Sequence, residues 1–168
     1  MTKTDTCPPR SAITFRTSTD ADIPFQRYVY GTTREMEMRM VPWSDQQKVE
    51  FLDMQFRAQK THYEDAYPTC QFLVIELEGK PIGRLFIDRL EDEIRLTDIA
   101  LLPEYRARGI GRMLIEEILA EGQETGKKVT IYVEHNNPAR HLYDRLNFTH
   151  VDTNGVYHLM EWKPSPSA

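Results

Sequence analysis

The stretch from Gln71 to Arg112 constrains this chain most. Three runs with strand character, Gln71 to Leu77, Pro81 to Asp88 and Ile94 to Leu102, are separated by short turns at Gly79-Lys80 and Glu91-Asp92. Connections that short join antiparallel neighbours. The third run then breaks at Pro103 into Glu104-Tyr105-Arg106-Ala107-Arg108-Gly109-Ile110-Gly111-Arg112. A helix is predicted to start there, with Ile110, Leu114 and Ile118 at spacing four and Gly126 as its stop. The first turn of a helix offers unpaired N–H groups and the positive end of the dipole, which together attract anions. Gly109 and Gly111 let the backbone come close to a phosphate. Arg106, Arg108 and Arg112 add formal charge. The bland alternative is a solvated basic loop that merely turns the chain.

Two phosphate loops are excluded. No Gly-x-x-x-x-Gly-Lys-Ser/Thr is present, so this is not a P-loop. No Gly-x-Gly-x-x-Gly is present either, and the preceding strands belong to hairpins rather than a βαβ unit.

Around this centre the chain alternates. Ile13 to Arg16 reads as a short strand, and Asp20 or Asp22 as the cap of a helix reaching Tyr30. Arg34 to Met40 alternates apolar and charged residues, which suits an extended segment, while its Met and Glu content suits a helix. Ser44 and Gln47 form a capping box, opening a helix that places Val49, Leu52, Phe56 and Tyr63 on one face and ends before Pro68. Beyond Gly126 come a strand at Lys128 to Val133, a short helix from about Asn137 to Leu146, and a hairpin around Asn154-Gly155. The order β, αα, βββ, α, β, α, ββ predicts an α/β (α+β) fold with a mixed sheet and excludes a doubly wound one.

A chain of 168 residues fits one domain. Residues 12–163 are expected to form it, with 1–11 a disordered lead-in and 164–168 a tail. The net charge of -5 argues against nucleic acid as a partner. No run approaches the roughly 18 apolar residues that span a bilayer. Cys7 and Cys70 make no disulfide framework, so a reducing, cytoplasmic setting is expected. The five histidines show no metal-ligand spacing, and no metal is expected.

Arg106, Gly109 and Gly111 match the pattern Arg/Gln-x-x-Gly-x-Gly/Ala, and Ile99 to Tyr105 resembles the run that precedes it. Downstream, Asn136 to Phe148 is similar to Asn-x-x-Ala-x-x-Leu-Tyr-x-x-x-Gly-Phe, with Asn147 in place of the glycine. Asn tolerates the left-handed conformation expected there. Both patterns, in this order, resemble the GNAT superfamily of N-acetyltransferases. The resemblance implies a largely antiparallel sheet of about six to seven strands, about four helices, and a cleft between two splayed parallel strands that takes acetyl-CoA as co-substrate.

The site follows by resemblance. Backbone around Ile99, Ala100 and Leu101 would bond the pantetheine arm, and the N–H groups of Ala107, Arg108, Gly109, Ile110, Gly111 and Arg112 the pyrophosphate, beside Arg106. Asn136 would contact the donor. Tyr143 would protonate the departing thiolate, unless it is simply a packed aromatic. Asp98 is the leading base or amine-orienting carboxylate, with Glu134 second; its alternative is a structural Asp paired with an arginine. Strict alternation puts Asp98 on the face of Ile94, Leu96 and Ala100, and a bulge would re-aim it. Thr32 to Trp43, with Glu35, Met36, Glu37 and Met38, would wall the acceptor or pack into the core. The acceptor expected is a small-molecule or peptide amine. Alternatives are a protein N-terminus or lysine, or a non-catalytic acyl-CoA sensor or scaffold. Relatives of this kind often form homodimers.

Overall fold

The computed structural model describes residues 6–166. One seven-stranded sheet runs through it in the order β1-β2-β3-β4-β5-β7-β6. Its strands are β1 (Ile13–Thr17), β2 (Gln71–Leu77), β3 (Lys80–Arg89), β4 (Glu93–Leu101), β5 (Lys128–Glu134), β6 (Thr149–Asn154) and β7 (Tyr157–Trp162). Five helices flank it: α1 (Ile23–Thr32), α2 (Glu35–Met40), α3 (Asp45–Ala66), α4 (Ile110–Thr125) and α5 (Arg140–Arg145). Every pairing is antiparallel except β4 with β5.

Local chemistry explains most boundaries. Ser44 and Gln47 close the expected capping box at the start of α3. The β2–β3 turn has positive φ at Glu78 and Gly79, the pairing of a tight hairpin turn. The first strand register thus turns one residue earlier than expected. Gly126 (φ 68°) stops α4, and Asn147 (φ 68°) takes the left-handed position expected after α5. Asn137 caps the turn before α5 by accepting from the Ala139 N–H at 2.9 Å, so that helix starts at Arg140 rather than near Asn137.

The sheet has two unlike faces. α4 covers the face carrying Phe15, Leu73 and Leu85 through Leu114 and Ile118. α3, with α1 beside it, covers the other face, where Phe72, Arg84 and Phe86 meet Phe56 and Tyr63. Val49, expected on the inner face of α3, is 64% exposed, and the residue this helix buries is Phe56. Burying Phe56 from the same helix contributes roughly 2–3 kcal/mol. The segment left open between helix and strand is helical: α2 buries Met38 and leaves Met36 and Met40 outside.

Part of the expected disordered lead-in follows a defined path; residues 1–5 lie outside the described residues. Residues 10–12 form a 3₁₀ turn. Arg10 bonds Glu117 of α4 through Nε (2.6 Å) and Nη2 (3.1 Å). An ion pair to a rigid helix, with Arg10 lying over the Phe15 ring, gives this segment an anchor that composition did not reveal.

Candidate active site

β4 and β5 pair only from Glu93–Lys128 to Leu96–Ile131. Beyond that the two strands part. Residues 98–101 of β4 stay paired with β3, and residues 132–134 of β5 stay paired with β7. Ile99, Ala100 and Leu101 therefore border an open wedge with no strand on their β5 side. A free strand edge is a ready partner for an extended amide-bearing chain.

The loop at the mouth of this wedge is built for an anion. Ala107 (φ 57°) and Gly109 (φ 85°) are left-handed and flank Arg108. Alternation of this kind turns successive N–H groups inward into a nest. Among the described residues, no backbone carbonyl accepts from the N–H groups of Ala107, Arg108, Gly109, Ile110, Gly111 or Arg112. A Cβ added at Gly111 would meet nothing within 4 Å, so space is kept open there. At Gly109 it would lie 3.5 Å from Cys7 and force a strained φ.

The three arginines divide their roles. Arg106 donates from Nε to the Leu101 carbonyl (2.9 Å) and from Nη2 to Thr32 (3.0 Å), tying the end of β4 to α1. Arg108 reaches the Thr6 carbonyl at 3.3 Å and lies over Tyr105. Arg112 pairs with Glu116 on the exposed side of α4. The cradle is thus mainly backbone, with Arg106 holding its frame.

Asp98 sits where a bulge re-phases β4. Ile87 pairs with Leu96 but Phe86 pairs with Asp98, leaving Thr97 extra. Partners across a ladder share a face, so Leu96 and Ile99 face α4 with Ile87 and Leu85. Asp98 and Ala100 face α3 with Phe86 and Arg84. The strict alternation that grouped Asp98 with Ile94 and Leu96 fails for this reason. Its carboxylate is ion-paired with Arg84, whose side chain is almost wholly buried. Arg84 also donates to Gln59 at 3.1 Å.

Tyr143 of α5 packs against Phe148 with ring centroids 5.4 Å apart and is buried. Burial first, and the charge of Asp98 second, push its phenol above the usual range, which keeps it protonated. Glu134, at the end of β5, is held by both terminal nitrogens of Arg34 (2.6 and 3.1 Å). Arg34 also bonds Glu37 at 2.9 Å. Asn136 is exposed at the turn after β5. Arg34 and Arg84, the partners of both candidate bases, were missed from sequence. No local motif marks an ion pair between residues 34 and 134. Among the described residues, no three His, Cys, Asp or Glu side chains converge as a metal site.

A wedge between diverging parallel strands, capped by a helix-start nest, can take an extended amide-bearing molecule with an anionic end. The sequence model described as the Acetyltransferase (GNAT) family matches residues 33–148, and the chain belongs to that family. It is 27% identical over 134 residues to the [ribosomal protein bS18]-alanine N-acetyltransferase of Haemophilus influenzae, covering 79% of each chain. Among solved structures, PaiA N-acetyltransferase from Thermoplasma acidophilum in complex with coenzyme A aligns with a TM-score of 0.66 at 20% identity, over 90% of this chain and 98% of that one. Spermidine N-acetyltransferase from Vibrio cholerae, with coenzyme A and spermine, aligns at 0.57 and 20% identity, over 90% and 94%. The chain is an acetyl-CoA-dependent N-acetyltransferase.

Proposed function

We propose that this enzyme acetylates the α-amino group of a protein or peptide N-terminus, and that the donor lies in the wedge with its pyrophosphate on residues 107–112. The observation that carries the acceptor assignment is the open apolar rim beside Glu134. Met36 (75% exposed) and Met40 (85%) are open on α2, whose Glu37 bonds Arg34, and Val156 and Tyr157 are open on the last hairpin, where Tyr157 pairs with Glu134. Arg34, bonded to Glu134, joins the two sides. An extended chain can lie on such a face, and methionines adapt to varied side chains. The Haemophilus relative, named for an alanine N-terminus, supports the same acceptor class. The expected small-molecule or peptide amine narrows accordingly. A reducing, cytoplasmic setting suits an acceptor on a ribosomal protein.

The acid–base chemistry agrees. An α-amine has a pKa near 8, against about 10.4 for lysine, so much of it is neutral without a strong base. Asp98 and Glu134 are each occupied by a guanidinium. An acceptor that needs little deprotonation suits that arrangement. Glu134 orients the ammonium and passes its proton to solvent. The amine nitrogen attacks the thioester carbonyl carbon, and an N–H on the β4 edge steadies the oxyanion. As the C–S bond breaks, Tyr143 protonates the thiolate, then recovers a proton from the new amide nitrogen through water. Asp98 fixes Arg84 and the charge around Tyr143 rather than touching the amine.

The test compares a free alanine-initiated peptide, the same peptide with a blocked N-terminus and an internal lysine, and spermidine. Mass spectrometry would locate the acetyl group. Acetylation of the α-amine with kcat/KM at least tenfold above the others is expected; preferred turnover of lysine or spermidine would overturn the assignment.

A further inference from the structure

The loop ahead of α4 holds a costly conformation. Ala107 is left-handed without being glycine, and Gly109 takes the same region two residues later. Backbone of that kind persists only where its surroundings over-determine it. Arg106 supplies part of that restraint, through the Leu101 carbonyl and Thr32. Two further contacts come from far away in sequence. The Thr6 carbonyl accepts from Arg108 Nη2 at 3.3 Å. Cys7 places its Cβ 3.5 Å and its Sγ 3.6 Å from the point where a side chain at position 109 would begin. Thr6 and Cys7 thus brace the loop on the side that Gly109 leaves bare.

The brace is itself held at a distance. Proline fixes its own φ and drives the residue before it into extended backbone, so Cys7-Pro8-Pro9 forms a stiff rod. Pro9 has φ −64° and ψ 146°, the polyproline geometry. At the far end of the rod Arg10 forks onto Glu117 and donates from Nη1 to the Ile13 carbonyl at 2.6 Å. Gly109 is the N-cap of α4, and Glu117 lies two turns into the same helix. The segment therefore runs from Glu117 back to the nest, tied to one rigid element at both ends. We propose that Arg10 and Glu117 are positioning residues for the donor: their ion pair seats the rod against Gly109 and preorganises the nest. The inference rests on the pyrophosphate lying on residues 107–112. Arg10 and Glu117 act through Thr6 and Cys7 on the backbone at 108 and 109. A loop ordered in advance binds more tightly, because the ligand no longer has to order it.

The readout is the acetyl-CoA Kd by calorimetry, without acceptor. Arg10→Glu and Glu117→Arg should each raise it about fivefold, the upper end of what an exposed ion pair supplies. The double variant, with the charges exchanged, should return to within about twofold of wild type. The kcat at saturating acetyl-CoA and the acceptor KM should not move. Asp22→Asn breaks a different ion pair, with Arg16, and should leave the Kd unchanged, which separates positioning from general loosening. Amide shifts of residues 107–109 in ¹⁵N spectra should move in Arg10→Glu and return in the double variant. If Arg10→Glu does not fold, Pro8→Gly with Pro9→Gly loosens the rod while keeping the ion pair, and should weaken acetyl-CoA about threefold. An unchanged or lower Kd in the single variants, or a rise that the double variant does not reverse, would overturn the inference. Gly109→Val tests the cradle separately. If it weakens acetyl-CoA while Arg10→Glu does not, the cradle stands and the positioning role falls; if it leaves affinity intact, the cradle reading falls and takes the positioning role with it.

Discussion

In the proposed donor half of the cleft the working groups would belong to the backbone: the strand edge at Ile99 to Leu101 and the N–H groups of residues 107–112, from which no backbone carbonyl among the described residues accepts. In the proposed acceptor half they would belong to side chains: Arg34 with Glu134, and Arg84 with Asp98. The backbone half depends on conformation, so it needs particular residues only where φ is positive. The side-chain half depends on charge balance among residues far apart in sequence. Donor binding should therefore tolerate most side-chain changes, and acceptor chemistry should tolerate few.

The largest effect expected is on stability. Asp98→Ala would leave Arg84 buried without its counter-ion, at about 3–5 kcal/mol, read as a lower denaturant midpoint. Donor affinity in whatever fraction folds should be nearly normal. Next, Gly109→Val forces a β-branched residue into a left-handed conformation and crowds Cys7, weakening coenzyme A by about 100-fold, or ~2.7 kcal/mol, in calorimetry. Acceptor KM should stay put; a shift in both would blur the division. Tyr143→Phe should cut kcat roughly 100-fold with donor Kd intact, and an undiminished rate removes Tyr143 as the acid. Glu134→Gln should raise acceptor KM roughly tenfold and leave donor KM alone, since a charge-assisted contact is worth on the order of 1–2 kcal/mol.

The smallest effect is a control outside both halves. Asp22 accepts from Arg16 at 2.7 and 2.8 Å and from the Thr19 N–H, and the Arg16 guanidinium holds its carboxyl down at about 2, below the ordinary 3.8. A depressed folded pKa stabilises above 3.8 and loses that contribution as pH falls towards 2. Asp22→Asn should lower Tm by about 2–4 °C near pH 7, and the gap should close over that acid range.

The same contrast governs what could be read in advance. The hairpins, the capping box at Ser44, the stop at Gly126 and the left-handed Asn147 all rest on near neighbours, and each has a local signature. So does the nest, whose glycines and helix start are contiguous. Arg34 and Arg84 carry no signature, because what matters about each is a partner brought near by the fold. Val49 and the strict phase of Asp98 failed where tertiary geometry overrode periodicity. Residues 6–11, expected within a disordered lead-in, carry Arg10, whose ion pair with Glu117 no local pattern marks.

Thr97 shows how much rests on a single unpaired residue in a ladder. Were it to pair regularly opposite Phe86, β4 would be, by ordinary criteria, a better strand. It would also exchange the sides of everything downstream: Asp98 would come opposite Leu85 in the apolar layer with Ile87, and Ile99 opposite Arg84. The irregularity acts as a phase shifter, letting one strand present a greasy surface to α4 along its whole length while delivering a carboxylate to the other side near the reaction. Residues at position 97 should accordingly exchange freely, because the phase depends on the extra residue staying out of the ladder and not on its side chain.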